Sequence, residues 1–260
     1  MNAKLQSSLL DDLRKSGFYS EMMAIRACAS AKWECHGSFT YFDKDERATR
    51  ECDFEAVRSW LSLRGDGESV RVVGRLLGQV KKSEKPWIVF LDRHVRAEHL
   101  DDQCEIIIQH ADLPDHRSIA DMLRQYSLIT RNSWIGSGVH EAFKRPMDTS
   151  RWYSAFVSAC KATEYAFDTA AATPNADTQF QLIKPVVILD GILVAAELST
   201  DGEPLLVETD SAAFAFEYRN DAYKRPRYYV DVITLDAFPR YLDLVAARMS
   251  AVTDLLRNRR

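Results

Sequence analysis

Hydrophobic and polar positions alternate with two different periods along the chain, and the first third sets the pattern. From Ser20 to about Trp33 the apolar positions recur at helical spacing, with Ser20 as the expected cap and Glu21 in the first turn. Glu21, Ile25, Cys28 and Lys32 fall on one face of that helix. Three stretches of strand-like period follow, GSFTYFDK (37–44), TRECDFEAVRSW (49–60) and VRVVGRLLGQVKK (70–82). The polar KDERAT and LRGDGES segments between them predict hairpin turns.

Beyond residue 90 the pattern loosens. Residues 92–123 predict an irregular acidic segment ending in a helix at RSIADMLRQYSLI, and 132–151 reads as turn-rich. An amphipathic helix is expected from about Arg151 to Phe167, then a small polar surface loop over 168–179. IKPVVILDGILVAAEL predicts a buried hairpin turning at Asp190-Gly191. RYYVDVITL predicts a strand, and Asp236 is placed to cap a closing helix with Pro239 in its first turn. The expected architecture is one α/β domain over 1–260: a helix, then a mixed central sheet flanked by helices. Its core motifs lie in 16–90, an acidic irregular insertion in about 92–150, and completing strands with a closing helix in 151–260.

Composition narrows the class. The 260 residues are 46% hydrophobic and 28% charged with a net charge of −4, which excludes disorder and a protein that coats nucleic acid by bulk charge. The average conceals local excess: residues 56–82 hold six Lys/Arg against two acids, and 219–227 hold four against one. Residues 92–123, with eight acids against three Arg, mask both. Five cysteines (Cys28, Cys35, Cys52, Cys104, Cys160) make an odd set with no pair close in sequence, so reduced thiols in an intracellular protein are expected. The first residues carry acids where a secretory signal needs an apolar run, and Asp190 and Gly191 interrupt the longest apolar stretch. The expected localisation is cytoplasmic.

Candidate chemistry lies in the strand-rich third. In TRECDFEAVR the pleat predicts Glu51, Asp53, Glu55 and Val57 on one face, and Cys52, Phe54 and Ala56 on a core face. A row of carboxylates on an interior strand is costly unless something positive compensates. On the third segment Leu77, Gln79 and Lys81 share a face. If these strands are neighbours, Asp53, Gln79 and Lys81 converge, and Glu21 reaches over from the helix. Two acids, an amide oxygen and an ammonium suit a hard divalent cation and an activated water. The plainer alternatives are a helix-start glutamate placed for the dipole, an acidic solvent face on an edge strand, and lysines solvating a strand end.

The ordered segments SGFYSEMMAIRACASAKW, RECDFEAV and LLGQVKKSEKPWIVF resemble the core of the PD-(D/E)XK, or restriction-endonuclease-like, nuclease superfamily. That pattern has a glutamate on the first helix, an aspartate on the second strand and (D/E)-x-K on the third. Glu21, Asp53 and Lys81 match it, and Gln79 stands where an acid is usual, as in the QxK variant related to enzymes that cut modified DNA. The resemblance covers about residues 16–90. It implies a restriction-endonuclease-like core and a metal-dependent endonuclease acting on DNA, in restriction or antiviral defence. Asp53, the Gln79 amide oxygen and the Val80 backbone carbonyl would hold Mg²⁺ (or Mn²⁺). Glu21 would position a second metal or the water network, and Lys81 would orient or deprotonate the attacking water, or stabilise the phosphorane. Gln79 removes one negative charge from the metal site, so Glu51 or Glu21 becomes a candidate to supply it.

Arg75, Lys82 and Lys85 beside this set, and Lys224, Arg225 and Arg227 in the aromatic YKRPRYY stretch, are the expected nucleic-acid contacts. The expected partner is DNA, with no membrane; a homodimer or protein partner, and a nuclease-like binding or sensor module without cleavage, stay open. Other motifs are weaker. His94, His99, Cys104, His110 and His116 crowd together without zinc-ligand spacing. Gly136-Ser137-Gly138 reads as a turn rather than a GxSxG elbow, and no GxxxxGK[ST] or GxGxxG occurs. Asp190 reads as a hairpin turn residue, Asp231 as a strand-end polar group, and Trp87 as packing behind the site.

Overall fold

A computed structural model describes residues 1–63, 65, 67–96, 106–109, 134–145, 150–172, 180–223, 225 and 227–258. The segments of period two become strands of one large mixed sheet, and helices pack on both of its faces. The helices are α1 (Ala3–Lys15), α2 (Gly17–Ser30), α3 (Arg151–Ala172) and α4 (Phe238–Arg257). The strands are β1 (Glu34–Asp43), β2 (Ala48–Leu63), β3 (Ser69–Lys82), β4 (Trp87–Arg96), β5 (Ile106–Gln109) and β6 (Trp134–Glu141). They continue with β7 (Phe180–Asp190), β8 (Leu193–Leu198), β9 (Pro204–Glu208), β10 (Ser211–Glu217) and β11 (Arg227–Thr234). Their order is β1-β2-β3-β7-β11-β10-β6-β4-β8-β9, with β5 on β7. The expected α/β class with a mixed sheet therefore holds.

The three strands predicted in the first third form an antiparallel meander, β1 on β2 and β2 on β3. β7 lies parallel to β3 over its whole length, from Val72↔Phe180 to Lys82↔Asp190. Two cores result. Phe54, Ala56, Leu76, Val80, Val186 and Ile188 pack against α2 and α4, whereas Cys52, Leu77, Ile183, Val187 and Leu189 pack on the α3 side. Burying both faces of β7 explains its apolar run from Pro185 to Leu189.

That same run corrects the expected hairpin at Asp190-Gly191. β7 and β8 do not pair with each other; β8 continues β7, just as β4 continues β3. Both chains bend together, and Ser83 N donates to Asp190 O while Trp87 N donates to Ile192 O across the bend, each at 2.9 Å. Gly191 is required there because a Cβ would lie 2.5 Å from Ser83 O. Gly136-Ser137-Gly138 is also no turn but the middle of β6. A Cβ on Gly136 would lie 2.4 Å from Val89 Cγ1 and 2.9 Å from Phe214, so its glycine serves close packing between β4 and β10.

Smaller expectations also shift. Ser20 is not a cap: α2 starts at Gly17 after Ser16, and Ser20 is buried within the helix. Ala237, not Asp236, precedes the closing helix, with Pro239 in its first turn as expected. Residues 168–172 extend α3 rather than opening a loop, and 173–179 lie outside the described residues. Asp231 is buried inside β11, where Lys184 Nζ lies at 2.9 Å and Tyr241 OH donates at 2.7 Å. Cys28 and Cys35, distant by sequence spacing rules, meet as a hydrogen-bonded thiol pair that lowers the Cys35 pKa, although both are free thiols. The irregular insertion contributes β5 and β6 to the sheet; its predicted helix, with His99, Cys104, His110, His116 and the His94 side chain, lies outside the described residues.

A buried polar clasp fixes the distal end of the β1–β2 hairpin. Lys161 Nζ on α3 donates to Asp43 at 2.8 and 3.0 Å and lies 2.8 Å from Asp45. Tyr223 OH donates to Asp43 at 3.1 Å, Tyr218 OH donates to Asp45, and Lys44 Nζ donates to Asp168 at 2.5 Å. The carboxylates beside it hold the Lys161 pKa above the ordinary lysine range, outweighing burial.

Candidate active site

The β2–β3 ladder runs from Leu63↔Ser69 to Phe54↔Gly78. Gly78 lets β2 approach closely, because a Cβ there would lie 2.0 Å from the Phe54 ring. One residue further along β2, the strand alternation breaks: Phe54 faces α2 and α4, but Cys52 faces α3. The expectation that Cys52, Phe54 and Ala56 share one core face is therefore corrected. Asp53 lies at this break, and its side chain takes over from the ladder. Val80 N donates to Asp53 Oδ2 at 2.7 Å.

On the neighbouring strand Lys81 Nζ bridges the set. It donates to Asp53 Oδ2 at 3.2 Å and to Gln79 Oε1 at 2.8 Å. Gln79 is buried, with its amide nitrogen lacking a hydrogen-bond acceptor but close enough to Cys52 to favour the thiolate. Burial nevertheless dominates and pushes the Cys52 thiol up to about 12, and its Sγ donates to Gly78 O at 3.1 Å. A neutral thiol thus forms the floor beneath the charged set.

Glu21 comes to the same place from α2. Burial raises its pKa first, the Asp53 and Glu51 carboxylates raise it further, and Lys81 partly offsets them. The four residues predicted from helix, second strand and third strand are therefore within one another's electrostatic field. Glu55 is not part of this set: Arg75 Nε lies 2.8 Å from its carboxylate, and burial outweighs that partner to raise its pKa.

Ser20 and Asp190 extend the site beyond the predicted residues. Ser20 Oγ donates to Asp190 Oδ2 at 2.5 Å, which ties α2, one residue from Glu21, to the carboxyl end of β7. Lys82 Nζ lies 3.9 Å from the same carboxylate and donates to Arg14 O at the end of α1. A readable signal existed, since an acid at the carboxyl end of a buried parallel strand is where α/β sheets place ligand groups.

The other basic candidates divide. Lys85 Nζ donates to Phe143 O at 3.0 Å, near the end of β3. Arg225 is drawn to the clasp, where Nε lies 3.4 Å from Glu164 and the guanidinium lies over the Phe167 ring. Arg227 pairs with Glu217 at 2.6 Å at the start of β11. The β11–β7 register puts that start at the opposite end of the parallel strands from Lys81. Lys224 lies outside the described residues. Trp87 is fully buried in the α3-side core.

Among the described residues no three His, Cys, Asp or Glu side chains form a cluster that could hold a metal ion by themselves. The donor set still suits Mg²⁺, which takes oxygen ligands, retains several waters and binds through one or two carboxylates plus substrate phosphates. Asp53 offers Oδ1, since Val80 and Lys81 both use Oδ2, whereas Gln79 Oε1 already accepts from Lys81 and has its second lone pair to offer. No family model, curated protein or solved structure matches the chain. No helix among the described residues is long and apolar enough to cross a membrane.

Proposed function

We propose that the chain is a metal-dependent nuclease that hydrolyses phosphodiester bonds of DNA, of the restriction-endonuclease-like class. The observation that carries this reading is the Lys81 ammonium held between the Asp53 carboxylate and the Gln79 amide oxygen. Support comes from the order of elements. A helix bearing Glu21 precedes the β1–β2–β3 meander, with Asp53 on the second strand and Gln79 and Lys81 on the third.

Asp53, the Gln79 amide oxygen and the Val80 carbonyl would hold Mg²⁺ or Mn²⁺, with Glu21 toward a second position. The bound cation supplies Lewis-acid polarisation of the phosphate and a lowered pKa for the water. Lys81 donates hydrogen bonds to the attacking water or to a non-bridging phosphate oxygen, balancing the charge that grows on the phosphoryl oxygens. Glu21, brought beside Asp53 from α2, would order the water network around that second position. The Asp53–Val80 N bond keeps the carboxylate fixed to β3 while these exchanges proceed.

The test is cleavage of supercoiled plasmid with Mg²⁺ or Mn²⁺. The native chain is expected to nick it, and Lys81→Ala and Asp53→Asn are each expected to abolish nicking. Cleavage that survives Lys81→Ala overturns the mechanism. A second reading, a nuclease-like binding or sensor module without cleavage, is favoured by one observation: the third-strand position is a neutral amide, Gln79, already engaged by Lys81. It expects nucleic-acid binding that chelator leaves unchanged and no nicking at any metal concentration.

A further inference from the structure

β3 and β4 follow one another along the sheet, and among the described residues no strand pairs with the second edge between them. β7 and β8 line one edge throughout. On the other edge β2 leaves after Gly78, and β6 begins opposite Trp87. No described strand pairs with the stretch between. At one end of this stretch Asp53 binds Val80 N; at the other Ala142 N donates to Pro86 O at 2.8 Å. Six residues of chain separate those anchors, at most about 20 Å.

Phe143 stands at the far end. It is 84% exposed, the most exposed large apolar group among the described residues. Its backbone has φ 56°, in the left-handed region that a bulky residue rarely adopts. Lys85 Nζ, donating to Phe143 O at 3.0 Å, holds that conformation, and Ala142 beside it is buried. The chain thus anchors both flanks of a strained residue in order to present an aromatic ring to solvent. The surroundings are cationic. Residues 82–85 and 142–145 contain Lys82, Lys85, Lys144 and Arg145 against Glu84 alone. Lys144 is itself steadied by a 2.9 Å bond to Ser150 Oγ.

We infer that Phe143 is a base-stacking platform, and that the substrate presents unpaired bases beside the phosphate at Asp53 and Lys81. An exposed ring among cations fits a nucleic-acid strand, whose bases stack on aromatic faces while lysine and arginine neutralise its phosphates. Bases inside a duplex already stack on one another and offer no face to the ring. The inference rests on the nuclease reading only for the position of the scissile phosphate; the platform itself is tested by binding.

A fluorescein-labelled single-stranded oligodeoxynucleotide, and the same strand annealed to its complement, are titrated in EDTA and followed by anisotropy. The native chain is expected to bind the single strand more tightly. Phe143→Ala is expected to weaken single-strand binding at least about fivefold while changing duplex binding less than twofold. Phe143→Tyr retains the ring and is expected to keep native affinity. Phe143→Gly relieves the backbone strain, so it is expected to melt higher than the native chain yet bind as weakly as Phe143→Ala. Unchanged single-strand affinity in Phe143→Ala, equal loss on both substrates, or no single-strand binding by the native chain overturns the proposal. Phe143-dependent binding in a chain that cleaves neither plasmid nor the single strand with Mg²⁺ or Mn²⁺ overturns the nuclease reading alone.

Discussion

Glu21 shows how a single residue reports a site. Its carboxyl is partly buried beside two other acids, so folding favours its protonated form. A raised carboxyl pKa means the folded state holds the proton more tightly than the unfolded chain. Stability from this group is complete below the unfolded value of about 4.3 and is lost as pH rises through the folded pKa. Glu21→Gln in EDTA is therefore expected to melt higher than the native chain at pH 7 and equally at pH 3.5, as thermal denaturation at the two pH values would show. An equal melting temperature at pH 7 would mean that Glu21 is solvated and outside the acidic set. The residue types at 21, 53, 79 and 81 were legible in the sequence because chemistry demands particular side chains. Their partners were not: which oxygen Lys81 reaches, and that Val80 N is held by Asp53, depend on where β2 leaves β3.

At the scale of elements, the β1–β2 hairpin depends on the clasp for its position over α3. Lys161, Asp43 and Asp45 are nearly excluded from water, with side-chain exposures of 6%, 3% and 14%. Removing one member leaves the others charged and uncompensated, which costs about 3–5 kcal/mol. Lys161→Met is expected to lose roughly that much in urea unfolding, with a smaller loss if Asp43 is replaced by Asn in the same chain. The extents of β2 and β3 and the start of α3 were legible because each carries a sustained period. β6 was not: Gly136, Ser137 and Gly138 have the composition of a turn, and only the nearness of Val89 and Phe214 shows why small residues are needed in a strand. Asp190-Gly191 misled for the same reason. A favourable hairpin dipeptide is a local preference, and pairing of β7 and β8 with separate neighbours overrides it.

Over the whole molecule the charge of −4 opposes any polyanion, so binding must rest on local groups. If Lys82, Lys85, Lys144 and Arg145 each neutralise one phosphate, the affinity for single-stranded DNA falls with salt at a log–log slope near −2.8, or about fiftyfold for a fourfold rise in salt. Anisotropy titrations across that range check it. A slope near zero would remove the basic rim from the interface. The sequence pointed to two positive stretches, 56–82 and 219–227, and the fold separates them. Arg225 and Arg227 are spent on Glu164 and Glu217, whereas Phe143, next in sequence to Lys144 and Arg145, is bonded to Lys85 just beyond the end of β3.

By itself the sequence determined the α/β class, the helix followed by three strands, and the identity of the central acids, amide and lysine. Those follow from period and side-chain chemistry, which act over a few residues. The tertiary structure alone decided that β3 and β7 continue into β4 and β8, that Asp190 joins Ser20 rather than closing a hairpin, and that Phe143 is held by Lys85 beyond the end of β3. Each is a contact between segments 50 or more residues apart, where pairing and burial are cooperative and no local pattern records the partner.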